Sequence, residues 1–309
     1  MKVNIQIEGQ RGVTWSRWQT IVKAVEDLGF DGLFRSDHFL DANPPDRDSL
    51  EMWCSFVWLA GNTKRIQFGS LVSPVSYRDP VFTARMARDV DDLSGGRLNL
   101  GVGAGWGGGV REHHMFGYEL LEMDDRFRRW EEGLKVITSL LRSPGPVTFE
   151  GEYYHLREAL LLPRPTRPGG PPIIIGGNGP KRVLRMAARY GDEWNGIYRS
   201  PVEFAELSTR LDEMLVEEGR KPSDVTRSQM KGLIFGRDSA ELTKNLDGRD
   251  KAALLQRGMI IGTPGEVMDQ LGPLAEVGMQ RVMLQWEDLD DMDGLEAFAT
   301  TVLPQAQTL

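Results

Sequence analysis

Short runs of apolar residues alternate with stretches of helical periodicity along nearly the whole chain. The first helical stretch carries Trp18, Ile21, Val22 and Val25 on one face, a stripe typical of a helix that packs on a core. The sequence predicts eight strands, at residues 3–7, 32–36, 66–72, 98–102, 173–176, 193–196, 230–235 and 282–285. Repeated strand–helix units favour a parallel sheet. We therefore expect an α/β fold in which residues 1–309 form a single (β/α)8 TIM barrel, although an open doubly wound sheet has the same element count.

Two stretches interrupt the strand–helix repeat. Residues 147–160 alternate around Glu150-Gly151, which predicts a β-hairpin inserted after strand four. Residues 238–263 add a partly helical insertion after strand seven. Both insertions are expected to flank the barrel mouth or, alternatively, to cover helices or build a dimer contact.

Composition narrows the class of protein. A chain of 309 residues with 40% hydrophobic content can bury a large core, and a net charge of −8 argues against nucleic-acid binding, which needs a basic footprint. Cys54 is the only cysteine, so no intramolecular disulfide or cysteine-based metal cluster can form. No apolar run approaches the roughly 18 residues of a membrane span, and no secretory segment is evident. We expect a cytoplasmic protein with no membrane or nucleic-acid partner.

The most informative motif follows the fifth predicted strand. The apolar run 173–175 ends in a glycine-rich turn made of Gly176, Gly177, Asn178 and Gly179. Pro180 then opens a helix predicted at 181–189, with Lys181 and Arg182 at its start. Bare backbone beside a helix N-terminus suits a phosphate group. The competing interpretation is a strand-to-helix turn that merely needs positive φ.

The second predicted strand ends at Asp37 and His38. A histidine can exchange a proton near neutral pH, and a neighbouring carboxylate can hold its tautomer or raise its pKa. Both residues are therefore candidate site residues. Alternatively, Asp37 caps a turn and His38 forms a hydrogen bond at the barrel rim.

The third predicted strand ends in a segment bracketed by Gly69 and Pro74. Such a segment is not expected to remain a regular central strand, which predicts a bulge or an unusual peptide bond against which a flat ring could lie. A plain strand exit is the other interpretation.

Glycines also follow the fourth predicted strand, where Gly103, Gly105 and Gly108 match the spacing G-x-G-x-x-G. A dinucleotide site would continue into an apolar helix, whereas the following segment is polar and includes His113 and His114. We therefore reject a Rossmann site and expect backbone that is accessible to a planar ligand. The two histidines are too close in sequence for a helical zinc pair, so no metal site is expected.

Five motifs lie in order along the chain: Ser36-Asp37-His38-Phe39, Leu93-Ser94-Gly95-Gly96-Arg97, Leu100-Gly101-Val102-Gly103-Ala104-Gly105-Trp106, Leu162-Pro163-Arg164-Pro165 and Ile175-Gly176-Gly177-Asn178-Gly179. Together with residues 187–195, they make the chain similar to the luciferase-like monooxygenase superfamily, and above all to its branch that depends on the deazaflavin coenzyme F420. The resemblance spans nearly the whole chain.

This resemblance implies a barrel that binds a flavin or deazaflavin at the carboxyl ends of its strands, and it implies a homodimer. Asp37 and His38 would lie near the reactive ring. Ser70 and Leu71 would match the segment that carries a non-proline cis peptide in relatives. The remaining implied cofactor contacts are Gly103, Ala104 and Gly105 at the ring or ribityl chain, and Gly176, Gly177, Asn178 and Gly179 at the phosphate.

Two departures from the family pattern bear on the activity. Trp106 stands where relatives that oxidise glucose 6-phosphate have a glutamate, and Ala104 stands where luciferases have an arginine that reaches the flavin phosphate. The resemblance thus favours F420 over FMN and argues against a sugar phosphate.

The leading hypothesis is hydride transfer between F420 and an unidentified small organic substrate, with His38, assisted by Asp37, transferring a proton or orienting the substrate. One alternative is a monooxygenase that uses reduced FMN and oxygen. Another is a flavin-binding or deazaflavin-binding protein without turnover.

Overall fold

The computed structural model describes residues 1–105 and 107–309, so Trp106 lies outside the described residues. Within that part of the chain, parallel strands close into an eight-stranded barrel. The strands are β1 (Lys2–Ile7), β2 (Gly32–Arg35), β3 (Gln67–Ser70), β4 (Leu98–Gly103), β5 (Ile173–Gly176), β6 (Glu193–Ile197), β7 (Thr226–Phe235) and β8 (Arg281–Gln285). Strand β1 pairs with both β2 and β8, which closes the cylinder. The predicted barrel is confirmed, and the open sheet is excluded.

Helices surround the barrel. They are α1 (Trp15–Asp27), α2 (Met52–Asn62), α3 (Pro80–Ser94), α4 (Val110–Phe116), α5 (Met123–Arg142), α6 (Arg182–Tyr190), α7 (Pro201–Glu217), α8 (Ser239–Leu246), α9 (Lys251–Gln256), α10 (Pro264–Glu276), α11 (Met292–Thr301) and α12 (Leu303–Ala306). Among the described residues, no helix combines the length and the hydropathy that crossing a membrane requires.

Local sequence signals explain where several helices begin. The side chain of Thr14 accepts a hydrogen bond at the start of α1. Helix α7 starts with a capping box between Ser200 and Glu203 around Pro201, an arrangement that satisfies otherwise unpaired amides of the first turn. The predicted apolar stripe of α1 is buried against the strands.

The inside of the barrel is layered. At the amino ends of the strands, Arg281 and Glu193 form a buried ion pair with 2.9 Å between Nη1 and Oε2. Above them, Phe34, Ile174 and Met283 belong to an apolar cluster of their own, separate from the core between strands and helices. These fully buried side chains fill the interior of the barrel between the ion pair and the carboxyl ends of the strands.

Two strands differ from their predicted bounds by more than one residue at one end. The predicted strand 66–72 is shorter in the structure because the chain leaves the sheet at a non-proline cis peptide between Leu71 and Val72. Strand β7 instead begins at Thr226, before the predicted residue 230, because its polar residues Ser228 and Gln229 are fully buried in the barrel wall. The hydroxyl of Ser228 accepts a hydrogen bond from the side chain of Asn195 on β6 at 2.9 Å, a contact that an apolar pattern does not reveal.

Both interruptions of the repeat have structures of their own. Residues Val147–Glu150 and His155–Ala159 form an antiparallel hairpin. The second insertion contains α8, α9 and the short strand Ile260–Gly262, which pairs with the end of β7. Strand β7 therefore pairs with β6 and β8 in the barrel and, further along, with the insertion.

Replacing Glu193 with Gln tests the buried ion pair. The substitution leaves the charge of Arg281 uncompensated, so we expect the free energy of unfolding to fall by about 3–5 kcal/mol. Urea denaturation followed by tryptophan fluorescence measures this change. The double variant Glu193→Leu/Arg281→Met removes both charges and is expected to recover most of the loss. A double variant no more stable than the single variant would contradict this account.

Candidate active site

A cavity of about 1060 Å³ opens at the carboxyl ends of the strands. Its wall includes six of the residues predicted from the sequence: His38, Leu71, Gly103, Ala104, Gly105 and Gly176. Side chains from the ends of β1, β6, β7 and β8 complete the wall, among them Glu8, Tyr198, Met230 and Gln285. The carboxyl ends of barrel strands are the usual position of an active site in this architecture.

One side of the cavity consists mainly of backbone. A Cβ atom added at Gly103 would lie 2.6 Å from a methyl carbon of Val72, and one added at Gly176 would lie 3.1 Å from the other methyl carbon. Larger residues would therefore collide with Val72, which follows the cis peptide. We call this surface, formed by Gly103, Ala104, Gly105 and Gly176 over Val72, the glycine wall. It offers bare main chain to a flat ligand.

Ser70 has a different position from Leu71. Its buried hydroxyl donates to the carbonyl of Gly101 at 2.8 Å and accepts from the amide of Gly101 at 3.0 Å. Ser70 thus joins β3 to β4 behind the glycine wall, whereas Leu71 itself lines the cavity.

The turn after β5 is held from behind. The amide of Gly177 donates to the carbonyl of Asn195 at 2.9 Å. The side chain of Asn178 forms two hydrogen bonds of 2.8 Å with the backbone of Ile197. These contacts fix the turn against β6, so Asn178 contributes structure rather than a side-chain ligand.

The amides at the beginning of α6 are available. Within residues 1–105 and 107–309, the N–H groups of Asn178, Gly179, Lys181, Arg182 and Val183 donate to no backbone or side-chain acceptor. Val183 itself lines the cavity, so these donors lie beside it. Unpaired amides at the positive end of a helix suit an anionic group.

His38 is held by a buried carboxylate that the sequence analysis did not select. Its Nδ1 lies 2.9 Å from Oε2 of Glu112, and Glu112 also accepts hydrogen bonds from the hydroxyl of Tyr77 and the amide of Phe39. The amide of Leu40 adds a fourth contact at 3.3 Å. We call Glu112 and Tyr77 the carboxylate clamp. It fixes the orientation of the imidazole at the cavity wall.

The carboxylate clamp also shifts the pKa values of His38 and Glu112. Burial opposes a charge on His38, but the hydrogen bond and negative charge of Glu112 outweigh it, so the pKa of His38 is raised. Burial alone would raise the pKa of Glu112, yet its contacts with His38 and Tyr77 lower it. The two shifts together favour a protonated imidazole beside an ionised carboxylate.

Asp37 has partners other than His38. Its buried carboxylate accepts hydrogen bonds from Ser73 at 2.6 Å and from both terminal nitrogens of Arg78, one of them at 3.1 Å. Arg78 also pairs with Glu51 at 2.6 Å. The carboxylate that hydrogen-bonds the imidazole is thus Glu112, and Asp37 anchors the segment that follows the cis peptide. Its negative charge still favours protonation of His38 from a distance.

A second histidine, His113, lies in the polar segment after β4 and holds that segment in place. His113 is buried, with Nε2 2.9 Å from the hydroxyl of Ser76 and Nδ1 2.7 Å from the carbonyl of Gly109. Burial lowers its pKa, which favours the neutral ring. Both ring nitrogens are therefore occupied in holding this segment to the barrel. Among the described residues, no group of three or more His, Cys, Asp or Glu side chains is arranged to hold a metal ion.

Sequence reasoning missed Glu8 and Glu112. Glu8 directly follows β1, so the rule applied to the other strand ends would have selected it. Glu112 stands nine residues beyond the end of β4. Its contact with His38 depends on the path of the intervening segment, so no local pattern predicts it.

Replacing Glu112 with Gln is expected to lower the pKa of His38, because the group that favours the imidazolium loses its charge. Titration of the histidine ring protons by NMR measures the shift, and Glu296→Gln on the exposed surface of α11 is the control. Because the pKa of His38 is raised, its contact with Glu112 stabilises the wild-type fold fully at pH values below 6.5, the ordinary pKa of histidine. This stabilisation decreases as the pH rises through the pKa of His38 in the folded state. An unchanged titration of His38 would contradict the clamp.

Comparison with known proteins identifies relatives and a solved structure that match most of the chain. The chain is 28% identical to an F420-dependent glucose-6-phosphate dehydrogenase of Amycolatopsis mediterranei, with 92% of each chain covered. It is 27% identical to a phthiodiolone/phenolphthiodiolone dimycocerosates ketoreductase of Mycobacterium bovis, covering 87% of this chain and 81% of that one. The structure resembles an F420-dependent secondary alcohol dehydrogenase solved with an F420-acetone adduct, with a TM-score of 0.85, 19% identity and 98% of both chains covered.

The sequence profile of the luciferase-like monooxygenases matches residues 2–250, which include β1 to β7, the glycine wall and the carboxylate clamp. The chain therefore belongs to the luciferase-like monooxygenase family.

Proposed function

We propose that the protein is an oxidoreductase that transfers a hydride between coenzyme F420 and a small organic substrate. The observation that carries this proposal is the glycine wall with unpaired amides beside it, facing a cavity that also holds a protonatable histidine. Relatives that are named for F420 dependence cover nearly the whole chain. When bound, the deazaflavin supplies the hydride chemistry at C5 of its ring.

The residues present fit such a cofactor in two respects. Val72 and the glycine wall provide a flat surface without projecting side chains, since a Cβ at Gly103 would already collide with Val72. The amides of Asn178, Gly179 and the first turn of α6 would bind the phosphate, with Lys181 adding positive charge nearby. Arg182 pairs instead with Asp124 at 2.7 Å. Ala104 and Gly105 would border the ring or the ribityl chain.

His38 would hold the proton that accompanies hydride transfer. Its Nδ1 is bound to Glu112, and Nε2 is proposed as the nitrogen that exchanges a proton. The raised pKa of His38 favours a proton on the ring. Asp37 would act indirectly, through the segment of Ser73 that it anchors.

The chain is further proposed to be one catalytic domain that works as a cytoplasmic homodimer. Three large apolar side chains are exposed on α2 and α3, namely Val57, Phe82 and Leu93, and Phe82 is 64% exposed. Helices α2 and α3 contact each other. An apolar surface of this kind favours association. The single cysteine suits a reducing compartment.

A cofactor competition tests the proposed activity. We expect native mass spectrometry to show one F420 per chain in a particle with the mass of a dimer, and weaker binding of FMN. Removing the phosphate from the ligand is expected to weaken binding about 10²-fold, because charge-assisted hydrogen bonds to the amides are lost. The deazaflavin riboside without phosphate provides that comparison. Tighter binding of FMN, together with oxygen consumption by the reduced complex, would instead support a monooxygenase.

The variant His38→Ala tests the proton-transfer role. We expect F420 affinity to remain within about twofold of wild type, while turnover falls by about 10²- to 10⁴-fold. Stopped-flow measurement of F420 absorbance with a substrate found by screening gives the rate. Unchanged turnover would show that His38 is not the proton-transfer group, and tight F420 binding without turnover of any substrate would support a binding protein.

A further inference from the structure

The side of the cavity opposite the glycine wall has a carboxylate in addition to Glu112. Glu8 follows β1, and Gln285 ends β8; these strands lie across the barrel from β4 and β5. The mechanism proposed above uses neither residue.

Neutral amides surround Glu8. Its Oε1 accepts hydrogen bonds from Gln6 at 3.1 Å and Gln285 at 2.8 Å, and its Oε2 accepts one from Gln10 at 3.3 Å. In the part of the chain that the structure describes, no lysine or arginine forms an ion pair with Glu8. Amides orient a carboxylate without cancelling its charge, so the cavity has a fixed negative group with room for another donor.

Tyr198 fixes the direction of these hydrogen bonds. Its hydroxyl donates to Oε1 of Gln285, which turns the amide nitrogen of Gln285 towards Glu8. Burial, followed by the negative charges of Glu8 and Glu287, raises the pKa of Tyr198, so the phenol remains a donor. We call Tyr198, Gln285 and Glu8 the donor-selecting wall.

The insertion after β7 supports Tyr198 from behind. Tyr198 has a left-handed backbone with φ 53°, which is uncommon for a non-glycine residue. A Cβ at Gly258 would lie 2.2 Å from the Tyr198 carbonyl oxygen, so the insertion packs directly on it. The ammonium of Lys231 donates to the carbonyls of Arg199 at 2.6 Å and Gly258 at 3.0 Å. These contacts hold the wall in one conformation.

The arginines that line the cavity lie elsewhere. Arg126 donates to the carbonyl of Leu121 at 3.0 Å and lies beside Gly105, near the glycine wall. Arg11 is 45% exposed and lies 3.8 Å from Asp41 and 3.9 Å from Glu287. Arg47 is exposed at the rim. None of these three arginines forms an ion pair with Glu8, whereas the negative charge of Glu8 is one of the causes that raise the pKa of His38.

We infer that the donor-selecting wall is the substrate side of the cavity and that it selects substrates with an O–H or N–H donor, neutral or cationic, over anionic ones such as sugar phosphates. Glu8 accepts the donor of an alcohol or amine and repels a carboxylate or phosphate. The inference rests on the proposed function, because it takes the glycine wall as the cofactor side.

Matched ligands test this selectivity on the protein–F420 complex. Cyclohexanol, cyclohexylamine and cyclohexanecarboxylate share a ring and differ in the polar group, and isothermal titration calorimetry gives their affinities. We expect the carboxylate to bind at least about tenfold more weakly than the alcohol. Glu8→Gln is expected to reduce that ratio to about threefold or less, and Tyr198→Phe to change it in the same direction by less. Glu296→Gln, which removes a carboxylate from the exposed surface of α11, is the matched control and is expected to preserve the ratio.

Three results would overturn the inference: equal affinity of wild type for alcohol and carboxylate, an unchanged ratio in both Glu8→Gln and Tyr198→Phe, or no binding of either cyclohexanol or cyclohexylamine. F420 binding is measured first for each variant. If wild type does not bind F420, the proposed function fails; if F420 binds and the selectivity is absent, only the donor-selecting wall is wrong. Tyr198→Phe keeps the test decisive if Glu8→Gln does not fold.

Discussion

The burial of one carboxylate organises the candidate active site. Glu112 is only 2% exposed, and a buried carboxylate needs several donors to offset the loss of water. The donors to Glu112 are the His38 ring, the Tyr77 hydroxyl and the Phe39 amide. These donors come from segments after β2 and β3, while Glu112 itself follows β4. One desolvated group thus ties three strand ends together and sets both the position and the protonation of His38.

The glycine wall depends on a different kind of constraint, namely space. Val72 lies so close to Gly103 and Gly176 that neither position tolerates a Cβ without movement. Ser70 and Asp37 secure the segments on either side of the Leu71–Val72 peptide through hydrogen bonds to Gly101 and Ser73. Asp37 and Ser70 therefore bear on the ligand surface through what they position. Their place in sequence next to site residues does not by itself put them in the cavity.

The sequence predicted the barrel because its strand–helix pattern repeats, and it predicted His38 and the glycines because each lies at the end of a strand or within a few residues beyond it. The partner of His38 escaped prediction for a physical reason: adjacent residues in an extended segment point in different directions, so Asp37 turns to Arg78 while Glu112 reaches the ring from nine residues beyond β4. The start of β7 escaped prediction because its polar residues Ser228 and Gln229 are buried, Ser228 in a hydrogen bond with Asn195. Both failures concern contacts made in three dimensions, which periodicity does not encode.

The two sides of the cavity differ in how tightly the fold determines them. The glycine wall consists mainly of main chain, and its shape follows from the strands and from the absence of large side chains. Membership of the family therefore indicates the shape of this surface. The side formed by Glu8, Tyr198 and Gln285 consists of side chains at strand ends, which can change without disturbing the barrel. Relatives named for a sugar phosphate and for a phthiodiolone share the family fold with this chain. Substrate identity therefore has to be argued from the charges and donors of this chain, where a carboxylate held by neutral amides is the dominant feature.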